Sequence, residues 1–467
     1  MRYQDKNRIY RLLVRILLLI LSILYILSDL IQVRGLSLYS TVLCAILMFL
    51  AYQEKKRLIS EYTIVLAFVI LFHFGQSIIY ICEPTRYLPV YDNFANVYVI
   101  EAIQYSMICL QVFDITFTFY QPIIEINIKY RERSPQCYLS AAELVSKIAL
   151  IILTPVIIFN LLLKTIFSLK YGYMNLYAYD GAGYRESAIM PYLQNLFVIM
   201  CVLRIVSCSF DKKKSRISLL LMVMYSLLMF LIGSRSGMLS VLLTAILIYD
   251  TKIREGRKES KGKIFLLAIA LIAGSVFMSY FRLVTDKTGV GFTESLNYVL
   301  NYNPLSTMMI EMGGSLKPVI YCVEIFSGAE SFRGGISYLA SFFLLIPNVG
   351  KILGQVHPAS GLTNLSQWLM DYMHLDHGPG FSIIAESYYN FGKIGWIVFV
   401  IWAIVFCNIL GNPKLQNEER NFISYATMIL LFPLIRGSVS DFIRFFIFEV
   451  ILVDVFVKII AYGIRKR

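Results

Sequence analysis

The strongest constraint in this sequence is a series of apolar runs, each long enough, or nearly so, to cross a hydrocarbon layer about 30 Å thick as a helix. They cover Leu12 to Ile31, Leu36 to Tyr52, Tyr62 to Ile81, Val97 to Tyr120, Val145 to Phe167 and Pro191 to Cys208. Further runs follow at Ile217 to Ile232, Met238 to Tyr249, Ile264 to Phe281, Ile394 to Leu410, Phe422 to Ile435 and Phe442 to Tyr462. The shortest can span only as members of a packed bundle. A backbone in lipid must satisfy its own hydrogen bonds, so the pattern predicts an all-α polytopic membrane protein of about twelve transmembrane helices.

Composition supports this. Of 467 residues, 58% are hydrophobic and 16% charged, whereas a soluble domain carries about a quarter charged residues. The net charge of +13 does not indicate a nucleic-acid partner, because the basic residues sit in short clusters between apolar runs rather than on one face. With the N-terminus in the cytoplasm, the inner loops become QEKKR, IKYRERS, DKKKSR, TKIREGRKESKGK, NPKLQNEER and the tail IRKR. Every strongly basic cluster then lies inside, as short loops prefer, so both termini are predicted to be cytoplasmic. The first run is longer than a signal-peptide core and lacks an A-x-A-like cleavage site, so it reads as a retained helix.

The runs divide the chain into an N-terminal transmembrane part at 1–281, a large outer loop at 282–380 and a C-terminal transmembrane part at 381–467. The loop contains ISYLASFFLLIP, Ile336 to Pro347, which is too short to span and is expected to lie at the interface or re-enter the bundle. No internal repeat of the kind common in secondary transporters is visible. Eight cysteines are scattered without a C-x-x-C pair. A Cys82–Cys322 bridge is geometrically possible, but the placement reads as unpaired small hydrophobes.

Chemistry concentrates at three places. Leu231-Ile-Gly-Ser-Arg-Ser-Gly-Met238 is a tight outer turn between two apolar runs. The run before it is about 25 Å long at 1.5 Å per residue, which sets Arg235 slightly below the outer surface of the hydrocarbon core. An arginine at that depth needs a counter-charge or an anion, or else snorkels to the headgroups. Arg436 occupies a chemically similar outer turn, Leu434-Ile-Arg-Gly-Ser-Val-Ser-Asp441. Guanidinium groups bind phosphate oxygens bidentately, and Ser234, Ser236 and turn amides add donors, so a lipid diphosphate is the anion expected there. A structural ion pair of Arg436 with Asp441 is the alternative. Arg185 and Arg282, in or beside other outer loops, are weaker candidates for the same role.

The third place is the end of the loop. Asp371, His374, Asp376 and His377 are ligand types for a divalent ion, but their spacing matches no closed metal motif, and no metal or other cofactor is expected. Glu386, just before an apolar run, and His357 could each take a proton from an alcohol as a general base, or could simply structure the loop by hydrogen bonding. Asp454 and Lys458, spaced i, i+4, are expected to satisfy one another.

The many-helix layout, the late outer loop, the Gly-Ser-Arg-Ser turn at 233–236 and the Gly-Pro-Gly-Phe-Ser-Ile-Ile-Ala-Glu-Ser-Tyr-Tyr-Asn-Phe-Gly run at 378–392 resemble the bacterial oligosaccharide repeat-unit polymerases, the Wzy-type O-antigen and capsular polysaccharide polymerases. The resemblance implies a multi-pass glycosyltransferase of the bacterial cytoplasmic (inner) membrane with a GT-C-like architecture related to the O-antigen ligases. It also implies an undecaprenyl-diphosphate-linked oligosaccharide as both donor and acceptor, no nucleotide sugar, and a chain-length regulator of the same pathway as a possible partner. Arg235 and Arg436 would clamp the leaving diphosphate while Glu386 or His357 deprotonates the acceptor. Tyr171, Tyr173, Tyr177, Tyr179, Tyr388 and Tyr389 could stack on sugar rings, although interfacial tyrosines are common in membrane proteins. An O-antigen ligase uses the same donor, and a lipid-linked oligosaccharide flippase would also bind diphosphate; these are the competing readings.

Overall fold

The computed structural model of the chain describes residues 2–28, 31–55, 59–128, 134–171, 187, 189–232, 234–253, 303–328, 330–346, 357–375, 378–411 and 417–466. Among the described residues all regular structure is helical. In chain order the helices are α1 (Arg2–Ile26), α2 (Val33–Lys55), α3 (Glu61–Cys82), α4 (Pro89–Asp92), α5 (Asn96–Ile128), α6 (Gln136–Tyr171), α7 (Met190–Ser207), α8 (Lys212–Ile232) and α9 (Arg235–Ile248). Then come α10 (Pro304–Met312), α11 (Lys317–Phe326), α12 (Ile336–Phe343), α13 (Ser360–Thr363), α14 (Leu365–Tyr372) and α15 (Ile383–Phe391). The last are α16 (Ile397–Leu410), α17 (Glu418–Ile435), α18 (Val439–Phe445) and α19 (Leu452–Arg465).

Among the described residues, eight helical stretches are long and apolar enough to cross a membrane, and they fall on eight of the predicted runs, the last being Ile383–Leu410. The runs at Met238, Phe422 and Phe442 form the shorter helices α9, α17 and the α18–α19 stretch, the last broken by a π-helical turn at Phe446–Ile451. The run Ile264 to Phe281 lies outside the described residues. The apolar faces point outward: Ile148, Ile151, Ile152, Phe159 and Ile166 recur at helical spacing on α6 and are all exposed, Ile151 by 75%. A stripe of that kind is at home in lipid and out of place in water.

The chain forms two compact units. One comprises 1–129, 309–411 and 431–444, the other 130–308, 412–430 and 445–467. In the first, α3 begins with a capping box in which the Ser60 hydroxyl accepts the Thr63 amide and the Thr63 hydroxyl accepts the Ser60 amide. Further along α3, Gly75 meets backbone: a Cβ there would stand 2.6 Å from the Met309 carbonyl oxygen, and one on Gly313 2.5 Å from the Gln76 nitrogen. Small residues let these backbones touch, as in other membrane bundles. Gln76 uses the closeness, donating to the Ile310 carbonyl at 2.8 Å and accepting the Val90 amide at 2.9 Å.

Polar residues face inward on α1. Arg8, Arg11 and Arg15 share one side of the helix, and each binds a neighbour. Arg8 donates to the Thr118 carbonyl and Arg11 to the Gln53 carbonyl. Fully buried Arg15 pairs with Asp114 of α5 at 2.8 Å and with Glu54 of α2 at 3.1 Å. In the second unit Lys458 binds both Asp454 at 2.7 Å, as the i, i+4 spacing predicts, and Glu419 at 2.8 Å, and Tyr138 donates to the other Asp454 oxygen. All eight cysteines are free, Cys82 and Cys322 included.

Breaking a buried ion pair leaves an uncompensated charge, at a cost of about 3–5 kcal/mol. Arg15→Leu, which strands Asp114, is expected to lose about that much in unfolding of the purified protein in detergent, and Arg15→Leu/Asp114→Leu to recover most of it. A double variant no more stable than the single one would contradict this role for the pair.

Candidate functional site

Helix α15 starts at Ser382, whose hydroxyl accepts the Ala385 amide at 3.1 Å. Ser, Thr, Asp and Asn are the favoured residues at that position because they satisfy a free helix-end amide. Glu386 lies in the first turn, where a negative charge complements the helix dipole, yet it is only 1% exposed. Two donors make that burial tolerable. The Ser337 hydroxyl of α12 donates to Oε1 at 2.7 Å, and the Val439 backbone amide at the start of α18 donates to Oε2 at 2.8 Å.

The direction of these bonds is fixed by a third residue. One turn along α15, the Asn390 side-chain amide donates to the Ser337 oxygen at 2.7 Å and to the Glu386 carbonyl at 2.9 Å. With that oxygen already accepting, the serine proton is free to point only at Glu386, so both carboxylate oxygens act as acceptors. The Tyr338 hydroxyl is buried nearby, and burial together with the Glu386 charge pushes its pKa well above the ordinary phenol range.

The Val439 amide is one of the donors that a helix start leaves unpaired, and it is supplied by the turn that follows Arg436. The structure therefore brings Glu386 to the turn of the second predicted arginine. Arg436 itself is exposed, its backbone amide closing α17 onto the Phe432 carbonyl at 3.1 Å. Asp441, the structural partner that the sequence offers it, is held by Ser438 at 3.1 Å and by Arg444.

His357 is not drawn into this arrangement. Its Nδ1 accepts the Ala359 amide at 3.1 Å, and its carbonyl accepts the Ser360 hydroxyl at 2.7 Å, so its bonds stay within the turn that opens α13. Nδ1 is thereby occupied as an acceptor. Ser234 precedes α9 in the other unit, its amide bonded to the Met229 carbonyl and its carbonyl to the Met238 amide. Arg235 and Ser236 begin α9, but their side chains lie outside the described residues, as do Arg185, Arg282, Tyr173, Tyr177, Tyr179, Asp376 and His377 altogether.

Sequence reasoning missed Ser337 and Asn390. A signal existed: in ISYLAS the serines at 337 and 341 recur at helical spacing within an otherwise apolar stretch, marking a polar stripe on a short helix. It also missed the backing of α15. Tyr388 donates to Glu101 of α5 at 2.7 Å, Glu101 pairs with Lys393 at 3.2 Å, and the Tyr105 and Ser387 hydroxyls lie 2.7 Å apart. Removing one partner from such a buried network costs about 1–3 kcal/mol. Ser337→Ala should therefore lower the unfolding free energy by that amount. Ser341→Ala, whose hydroxyl bonds only its own helix at the Ser337 carbonyl, should cost clearly less. Equal losses would show that Ser337 does not hold Glu386.

A family model described as O-antigen polysaccharide polymerase Wzy matches residues 10–467. No curated protein and no solved structure matches the chain. The family match takes in both arginine turns and the whole of α15, and on that coverage the chain belongs to the O-antigen polysaccharide polymerase Wzy family.

Proposed function

We propose that this multi-pass protein polymerises undecaprenyl-diphosphate-linked oligosaccharide repeat units into O-antigen or capsular polysaccharide on the outer face of the bacterial cytoplasmic membrane. In this reading about twelve helices span, both termini are cytoplasmic, and residues 282–380 form an outer loop between the transmembrane parts at 1–281 and 381–467. The architecture is GT-C-like, and a chain-length regulator is a candidate partner. The observation that carries the reading is the convergence of a buried carboxylate, Glu386, on the turn of an exposed arginine, Arg436, in a chain of this family.

The chemistry follows from the two groups. A hydroxyl on the non-reducing sugar of one lipid-linked unit attacks the anomeric carbon of the glycan held on the other lipid. The new carbon–oxygen bond forms as the bond to the diphosphate oxygen breaks, the electron pair leaving with undecaprenyl diphosphate. The hydroxyl proton passes to the Glu386 carboxylate, which one of its two donors releases as the acceptor arrives. Charge develops on the departing diphosphate, where Arg436, Arg235 and the serines Ser234 and Ser236 supply donors, with Arg185 and Arg282 as further candidates. His357 is the weaker base, because its Nδ1 already accepts the Ala359 amide.

Polymer made in cells lacking their own copy of this protein, read as a ladder of lengths on a gel with variant levels matched in membranes, tests these roles. Glu386→Gln keeps the size and one acceptor but cannot take a proton, so it should lower polymerisation by about 10²- to 10⁴-fold. Arg436→Lys, which keeps the charge and loses the bidentate fork, should cost about 10²-fold. His357→Gln should retain most of the polymer. Full polymer from Glu386→Gln would remove it as the base, and loss with His357→Gln alone would transfer that role to the histidine.

A further inference from the structure

Helices α13 and α14 carry a groove of about 570 Å³, within the ordinary size range of small-ligand sites, about 300–1,000 Å³. Its lining comprises Ser360, Asn364, Gln367, Trp368, Asp371 and Tyr372. The last five recur at three- and four-residue spacing, so they share one face of α14 and its N-cap. Among the described residues the lining holds two aromatic rings, one of them a phenol, two amides, a serine hydroxyl and one carboxylate, and no cation. A phosphate or other anion has nothing there to neutralise it, and an acyl chain would strand the polar groups.

The ligand that suits these groups is a sugar, whose rings present apolar C–H faces for aromatic contact and hydroxyl edges that both donate and accept. The site is already ordered for such a ligand. Trp368 is half-buried and gripped from behind, edge-on by Tyr389 with ring centres 4.7 Å apart and by Phe326 at 6.3 Å. Tyr372 lies 5.8 Å from Trp368, tilted by 35° and 41% exposed, so the two rings form a bent platform open to solvent. The Gln367 side chain donates to Asp371 Oδ1 at 2.7 Å, which fixes both and leaves the second carboxylate oxygen and the Gln367 carbonyl as acceptors. The Asn364 carbonyl caps α14 at the Gln367 amide, leaving its NH₂ group to donate.

Two connections tie the groove to the reaction. Tyr389 stands three residues after Glu386 on α15, so the aromatic floor and the carboxylate are carried by one helix. At the other end, the Ser360 hydroxyl is bonded to the His357 carbonyl, which makes His357 part of the groove's frame.

Resting on the polymerase reading, we propose that this groove is a glycan-binding subsite that holds pyranose rings of the polysaccharide away from the reacting bond and so retains the chain between additions. It recognises sugar alone.

The test uses full-length protein in nanodiscs, titrated calorimetrically with lipid-free oligosaccharide released by mild acid from the producing strain's own surface polysaccharide. Tyr372→Ala and Asp371→Ala alter exposed side chains, and unfolding temperatures checked against wild type guard against misfolding. Each should weaken binding by about tenfold or more, as loss of a central contact in a recognition site does. Each should also shorten the polymer ladder. Trp368→Phe, which keeps a ring against Tyr389, should bind better than Trp368→Ala. Glu386→Gln should bind the oligosaccharide as wild type does while polymerisation falls by about 10²-fold or more. Unchanged affinity and product length in Tyr372→Ala and Asp371→Ala would overturn the subsite, as would wild-type protein that polymerises lipid-linked units but does not bind the free oligosaccharide. A Glu386→Gln protein that still polymerises, beside groove variants that bind weakly, would overturn the catalytic assignment and support the subsite.

Discussion

A carboxylate enclosed among apolar helices is tolerable only if donors meet it, and at Glu386 the donors come from far along the chain. Ser337 is 49 residues away and Val439 is 53, so satisfying this one group fixes the short helix α12 and the turn after Arg436 against α15. The residues that follow divide the remaining neighbours among them. Ser387 meets Tyr105, Tyr388 meets Glu101, Tyr389 meets Trp368, and Asn390 returns to Ser337. A helix that is polar or aromatic on every side is thereby buried on every side, its position over-determined by partners on several elements. Rigid placement of this kind is what a reacting group requires, since small displacements are costly in rate.

The rest of the molecule follows the solvent it is built for. Exposed apolar stripes such as that of α6 face lipid, while charges within the helices pair, fully buried Arg15 with Asp114 and half-exposed Lys458 with Asp454 and Glu419. With little hydrophobic drive between helices in a bilayer, close backbone contact at Gly75 and Gly313 and side-chain bonds like those of Gln76 carry the packing. The groove on α13 and α14 inverts this pattern. Its aromatic residues stay open and its polar residues are left with spare acceptors, which is the mark of a surface kept for a ligand.

Much of this was legible in the sequence. Eight of the twelve apolar runs located helical stretches long and apolar enough to cross a membrane, and the i, i+4 spacing of Asp454 and Lys458 foretold their pairing. Glu386 and the Arg436 turn were visible as polar groups where polarity is costly. Their meeting was not, since a contact across 53 residues leaves no periodicity to read. The same limit hid Arg15, whose partner Asp114 is 99 residues distant. The candidate span that ends at Leu410 begins at Ile383 rather than Ile394, because Glu386, Ser387 and Asn390 interrupt the apolar pattern and are buried by partners that pattern cannot reveal. Trp368 and Tyr372 escaped notice because a sugar platform is defined by which rings stay uncovered, a property of the fold. Arg185 and Arg282 fall outside the described residues and keep their proposed part in the clamp on chemistry alone.

The most direct measurement is turnover by the purified protein with undecaprenyl-diphosphate-linked repeat units as sole substrate and EDTA present, read as product lengths on a gel. The account predicts a ladder without nucleotide sugar or added metal, together with release of one undecaprenyl diphosphate for each unit joined. No ladder, under conditions where the protein is folded and binds its substrate, would contradict the polymerase reading and return the chain to a ligase or a flippase.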